Sequence, residues 1–435
     1  MNLTTGIQCY PSRGYLWEKD AQFCKSSDQT HGWTILSILV AESLSTDIMK
    51  SLFPLGLASI ILARPGPTRR TRDEPCACHI FTLCVDISDV STAVFPFAPL
   101  EDQYQATNLL TTITNRVQTD TAPRLKNLTA TYEVQAHLCA PKRKKPFTTL
   151  QILTHGIGFN SSYWNFYPSR DQSDLQYNYI NAATIAGHTT LSYNRLGISG
   201  STLADPYTEV QSPVELAILI QITTLAKAGK IPYLKQAPTK IVHVGHSFGF
   251  TLANAMVASH PSLSDGIIPI AYNIPSDGTN LFAANTNFMI ANLADSIKFP
   301  AIQCTIGYLT WPSKWAKQDS FFAYGAFEPA VLDDAENTKQ PFSVGEFASF
   351  GLLGDLNASN FKGPVLYVEG EEDLIACAST STGRFDRDNT SYKAFSASEV
   401  ESVIVPGFEH ALNLHIGADG KVYRVINEWL ARKGF

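Results

Sequence analysis

The sequence predicts an α/β fold: a mainly parallel sheet covered by helices on both faces, with a cap inserted between two of its strands. Three observations carry that expectation. Short continuous apolar runs alternate with helix-like segments along most of the chain, which is how strands buried on both faces read. Charged residues make up 17% of the 435 residues against 44% hydrophobic, below the roughly 25% charge of an average soluble domain. Between about residue 274 and residue 360 the alternation breaks into aromatic, loop-rich sequence such as IGYLTWPSKWAKQDSFFAYGAF. An insertion of that length between sheet strands covers the carboxyl edge, where ligands of such sheets bind. Length alone, at roughly 150 residues per domain, suggests two or three domains, whereas the order of the motifs gives one domain over residues 76–435.

The elements run as follows. Met49 opens MKSLFPLGLASIILA, a Lys50 flank and an apolar run ending in the small residue Ala63, the layout of a secretory signal peptide. Residues 49–63 are therefore expected to be a signal, residues 1–48 an upstream extension foreign to the natural protein, and the Pro-rich, charged residues 64–75 a linker. HIFTLCVDI (79–87) and ATYEVQAHLC (130–139) alternate apolar and polar residues as strands do, with about 40 less regular residues between them. TTLQILTHG (148–156) and TTLSYNRLGISGS (189–201) are strands running into Gly-containing turns. Ser212 as N-cap, Pro213 and Glu215 read as a capping box opening a helix through residue 226. KIVHVG (240–245) is a buried strand, FTLANAMVASH (250–260) a helix, and GIIPIAY, PVLYVEG and SVIVPG are three further strands.

Composition bounds the partners. With 33 Lys+Arg against 39 Asp+Glu the net charge is −6, so no positive field is available to hold a nucleic acid. No stretch offers the about 20 uninterrupted apolar residues of a membrane span, and stable membrane insertion is not expected. Beyond the signal six cysteines remain: Cys76, Cys78, Cys84, Cys139, Cys304 and Cys377. Their even number favours disulfides, and the close Cys76, Cys78 and His79 lack a second ligand pair at a zinc-finger interval. Asn127, Asn160, Asn357 and Asn389 stand in Asn-X-Ser/Thr sequons, glycosylation candidates in a secreted, extracellular protein. No motif calls for a cofactor or a metal, and no feature speaks to the oligomeric state.

The chemistry is concentrated at Gly245-His246-Ser247-Phe248-Gly249. A serine nucleophile needs its oxygen held proud of the sheet on a strained strand-to-helix turn, and Gly245 and Gly249 permit a turn too tight for a Cβ. The strand before it and the helix after it supply the context that a bare GxSxG lacks. Serine is inert at neutral pH without a base, and the base needs a carboxylate to orient it. Asp373, in the turn after PVLYVEG, is the expected acid, with Glu371 and Glu372 as alternatives. His410, after SVIVPG, is the expected base, with His415 as the fallback, which otherwise reads as a surface or helix-packing histidine. The N–H of Phe248 and that of Ile157, in His155-Gly156-Ile157-Gly158, are the expected oxyanion donors. His155 reads as a brace for that loop. His243 and His246 diverge across a strand and its turn and do not form a metal pair.

HGIGFNSSYW, YNRLGISGS, GHSFG, GEEDLI and PGFEHALNLH, in that order, resemble the oxyanion loop, the turn after the fourth strand, the nucleophile elbow, the acid turn and the histidine loop of the α/β-hydrolase superfamily. More narrowly the chain resembles its secreted fungal serine hydrolases of the AB hydrolase-1 type. It departs from many relatives in carrying Asn194 where they have Asp, a position that braces the turn. The resemblance implies a disulfide from Cys139 to Cys76, Cys78 or Cys84. It also implies a Ser-Asp-His serine hydrolase that cleaves small-molecule carboxylic esters through an acyl-enzyme. Peptidase or amidase action, acyl transfer to an alcohol, and non-catalytic binding on a retained fold are the competing readings. The cap aromatics Tyr308, Trp311, Trp315, Phe321, Phe322 and Tyr324 suit an apolar or aromatic ester, and equally suit a cap core.

Overall fold

The computed structural model describes residues 76–114, 123–142, 149–274, 278–300, 306–378, 380–383, 385 and 389–435. The expected upstream stretch 1–48, the expected signal 49–63, the expected linker 64–75 and Cys304 lie outside the described residues.

Eight strands form the central sheet: β1 (Cys76–Val94), β2 (Arg124–Pro141), β3 (Thr149–Thr154), β4 (Thr189–Tyr193), β5 (Lys240–His246), β6 (Gly266–Ile270), β10 (Val365–Gly370) and β11 (Val400–Val405). The small strands β7 (Met289–Ile290), β8 (Tyr308–Thr310) and β9 (Phe342–Ser343) make a separate antiparallel sheet. The central order is β1-β2-β4-β3-β5-β6-β10-β11. Only β1/β2 and β2/β4 pair antiparallel, and every other pair is parallel. This is the sheet of the α/β-hydrolase fold, as the resemblance implies. The two amino-terminal strands run longer than their alternating cores, and the irregular stretch between them contains a helix, Gln103–Ile113, capped by Asp102.

Two polar contacts show how the helices cover the sheet. Gln151 is level with Val242 and Ile152 with His243, so Gln151 and His243 point to opposite faces. The Tyr179 hydroxyl, at the start of helix Tyr179–Ala186, donates to Gln151 Oε1 at 2.7 Å. On the other face Thr223, in helix Ser212–Lys227, lies 3.0 Å from His243 Nε2. Helix Phe248–Ser259 packs with the latter and helix Arg424–Arg432 with the former. Strands β3, β6 and β10 are buried along their whole length, the physical reason for the low charge fraction.

The capping box expected at Ser212 is absent. The helix is preceded by Gln211, without a side-chain cap. Ser212 Oγ instead donates to the Glu346 carbonyl at 3.0 Å, and Glu215 is turned inward to Arg195. A buried guanidinium outcompetes a backbone N–H for the carboxylate, because charge-assisted bonds are roughly twice as strong as neutral ones.

Cys139 pairs with Cys78. The two face each other across β1/β2, which singles out Cys78 among the three partners the resemblance left open. Of the sequons, Asn127 and Asn357 are exposed. Asn160 is 2% exposed and its side chain caps Ser162 N–H at 2.9 Å. A glycan has no room there, so the expectation at Asn160 is corrected. Asn389 is half-buried and caps Ser391.

The insertion between β6 and β10 has its own aromatic core, in which Trp311 packs against Phe282, Phe288, Phe321 and Phe342. Lys317 is fully buried inside it, donating to the Ala335 carbonyl at 2.9 Å and lying 5.1 Å from the Phe159 ring centroid. Burial, with Lys339 and Lys298 nearby and only Glu336 opposing them, lowers its pKa to about 7. The folded chain then binds fewer protons than the unfolded chain between about pH 7 and the ordinary lysine value, so this residue's contribution to stability rises with pH across that window. Lys317→Met is expected to raise the melting temperature at pH 6, by the equivalent of a few kcal/mol at most, and to change it little near pH 10.5. A thermal scan at both pH values checks this, and equal shifts at the two would refute it.

Candidate active site

Strand β5 ends at the elbow, and Ser247 takes φ 54° and ψ −128°, a left-handed strain worth about 1–3 kcal/mol that surrounding structure must hold. The flanking glycines show what holds it. A Cβ at Gly245 would lie 2.5 Å from Phe250 Cα, and one at Gly249 would lie 2.3 Å from the Thr154 carbonyl oxygen. The helix is thus pressed directly onto the end of β3.

Three side chains expected to meet do so. Ser247 Oγ lies 2.8 Å from His410 Nε2, and His410 Nδ1 lies 2.9 and 2.8 Å from the two Asp373 oxygens. Asp373 Oδ1 also accepts the Ala376 N–H at 2.8 Å. With Nδ1–H directed at the carboxylate, Nε2 is free to accept the serine proton. Burial opposes ionisation of Asp373, but His410, a hydrogen bond from Glu369 and the Ala376 N–H outweigh it and lower its pKa to about 2. The neighbouring Glu369 goes the other way: burial, then Asp373, raise it well above the usual range, so it keeps its proton. Burial and Asp373 likewise push Glu409 up to about 9. The alternative acid Glu371 is engaged elsewhere, accepting the Gly407 N–H at 3.0 Å.

The oxyanion loop lies against the nucleophile. A Cβ on Gly156 would come within 3.0 Å of Ser247 Cβ. Among the described residues the N–H groups of Ile157 and Phe248 have no acceptor, as donors waiting for a developing anion must. His155 braces this loop: its Nδ1 donates to the Gly156 carbonyl at 2.8 Å while its Nε2 accepts the Arg195 N–H at 3.2 Å. Asn194 does the same for the turn, accepting from Ser161 N–H and donating to Gln135 and Ser199. His415 Nε2 receives Ala323 N–H and Glu409 N–H, a packing role. His243 and His246 point apart, to Thr223 and to the His410 carbonyl. Among the described residues no group of three or more His, Cys, Asp or Glu is arranged to hold a metal ion, and no helix is long and apolar enough to cross a membrane.

The aromatic candidates separate. Phe321 stacks on the His410 ring at 5.5 Å and 13°, and its carbonyl accepts the Ala411 N–H. Trp311 is fully buried and its ring lies on Gly158, 2.2 Å from where a Cβ would be. Tyr308 is buried with its hydroxyl on the Ala204 carbonyl, and Phe322 packs on His415. Trp315 and Tyr324 are 64% and 93% exposed, with Lys314 over the Trp315 ring. Sequence reasoning passed over Arg195 and Glu369, because nothing local marks a charged side chain that folding turns inward.

Strand order, elbow and the carboxylate–imidazole–hydroxyl line define the class of fold: an α/β-hydrolase sheet carrying a nucleophile elbow. No protein-family model matches the chain, and no curated protein matches it. Among solved structures it is similar to a lipase in its open form, at 17% identity over 69% of this chain and 95% of that one, with a TM-score of 0.47. It is also similar to Est1E from Butyrivibrio proteoclasticus with ferulic acid bound, at 16% identity over 69% and 96% of the chains and a TM-score of 0.42. A thermophilic esterase from Thermogutta terrifontis is similar at 13% identity over 70% and 95%, with a TM-score of 0.44.

Proposed function

We propose that the chain is a serine hydrolase of carboxylic esters, with Ser247 as nucleophile, His410 as general base and acid, and Asp373 orienting the imidazole. The observation that carries this reading is the unbroken line from the Asp373 carboxylate through His410 to Ser247 Oγ, with every bond at 2.8–2.9 Å. Ser247 attacks the ester carbonyl as its proton passes to His410 Nε2, and the N–H groups of Ile157 and Phe248 take the oxyanion. His410 then returns the proton to the leaving alcohol, and water attacks the acyl-enzyme by the same route. The serine nucleophile speaks against epoxide hydrolysis and dehalogenation, which on this fold use a carboxylate.

Phe321 on His410 and the aromatic wall behind it favour an apolar or aromatic ester, with the insertion as a cap. The Cys78–Cys139 bridge supports an oxidising, extracellular setting. A fluorophosphonate probe is expected to label the chain at Ser247, and a p-nitrophenyl ester panel to be turned over faster than aminoacyl amides. Absence of Ser247-dependent labelling would point to a non-catalytic binding protein, and faster amide turnover to a peptidase. A dominant transfer product in the presence of an alcohol would point to an acyltransferase.

A further inference from the structure

Arg195 has no part in the reaction above, yet it reaches the Gly156 carbonyl, in the same peptide as the Ile157 N–H, and the ring of Phe248. It stands two residues past the end of β4 and its side chain is fully buried. Nη1 pairs with Glu346 of the insertion and, at 3.3 Å, with Glu215 of the core. Nη2 lies 3.4 Å from the Gly156 carbonyl oxygen, and the guanidinium carbon sits 4.8 Å from the Phe248 ring centroid. The Gly156 carbonyl and the Ile157 N–H are the two ends of one planar peptide. A cation and the His155 Nδ1–H both pull on that carbonyl, which fixes the plane of the peptide and polarises its N–H.

We propose that Arg195 is a positioning residue of the oxyanion hole, holding and polarising the Gly156–Ile157 peptide from a seat shared by Glu215 and the insertion's Glu346. The proposal rests on the acyl-transfer reading of Ser247. It explains why an ion cluster occupies this place: a buried pair is costly to desolvate, and apolar residues of similar volume would serve stability at least as well. A guanidinium that reaches two carboxylates and a carbonyl at once does something an apolar side chain cannot.

The test needs a variant that leaves no uncompensated charge, so Arg195→Met is combined with Glu215→Gln and Glu346→Gln. With p-nitrophenyl butyrate, kcat is expected to fall at least tenfold with KM changed less than threefold. Inhibition by benzeneboronic acid, which takes the Ser247 oxygen as a fourth ligand and mimics the tetrahedral state, is expected to weaken by the same factor as kcat/KM. Arg195→Lys keeps the charge without the fork and is expected to give an intermediate kcat; it also serves if the triple variant does not fold. A folded variant, by near-UV circular dichroism, that changes melting temperature but holds kcat and boronate affinity within twofold would overturn the proposal. A wild-type chain that neither hydrolyses the ester nor takes a fluorophosphonate would refute the acyl-transfer reading, and this proposal with it. Wild-type reaction beside an unaltered variant sinks the role of Arg195 alone.

Discussion

Ser247→Ala and His410→Ala are each expected to lower kcat for a p-nitrophenyl ester by roughly five to six orders of magnitude, and the double variant to be no worse than either alone. The reason is that the two groups act as one unit. Without the imidazole the hydroxyl keeps its proton, and without the hydroxyl the imidazole has nothing to activate. The Ile157 and Phe248 N–H groups remain in both variants and should leave about 10³–10⁴-fold acceleration over water. Steady-state kinetics of the three variants, with fluorophosphonate labelling as a control for contaminating enzyme, decide the matter. Losses that multiply in the double variant would mean that the two side chains act independently, against the 2.8 Å contact between them.

Asp373→Asn is expected to cost about 10⁴-fold in kcat while the chain stays folded. The Ala376 N–H holds Oδ1 in place, so the new amide nitrogen would occupy the other position, 2.8 Å from His410 Nδ1. An N–H there forces the imidazole to accept at Nδ1 and carry its proton on Nε2, where it can no longer take the serine proton. Because the Asp373 pKa is held to about 2, the wild-type carboxylate stays charged throughout the ordinary assay range. Its protonation therefore does not set the acid limb of the pH profile above about pH 4. If Asp373→Asn kept kcat within tenfold of wild type, a neighbour such as Glu372 or Glu409 would have to orient the histidine instead.

Much of the fold was legible because it depends on short stretches. Apolar runs that become β3, β5, β6 and β10 need only local hydrophobicity, and a glycine-flanked serine between strand and helix has a local geometric cause. Asp373 and His410 were legible through chain order, since each follows a strand whose carboxyl end comes to the same edge. The helix at Tyr179–Ala186, the helix at Arg424–Arg432 and the small sheet in the insertion gave weaker signals. They are short, or draw their stability from what they pack on.

Other features were illegible for a reason of reach. Glu215 stands where a capping box would place it, and only the approach of Arg195, 20 residues away, turns it inward, while the Glu346 carbonyl, 134 residues from Ser212, takes the serine hydroxyl. Asn160 has the letters of a glycosylation site, and burial cancels them. Among the insertion's aromatic residues composition distinguishes none, yet Phe321 lies on the histidine and Trp315 in solvent.

The sequence by itself determined a doubly covered, mainly parallel sheet, the strained serine elbow, and the order of acid and histidine along the chain. Tertiary structure alone decided which cysteine joins Cys139, which aromatic ring meets the imidazole, and which charges are buried beside the oxyanion loop. Strand periodicity and turn geometry are set within about ten residues, whereas partners are chosen by contacts that exist only after distant segments have packed.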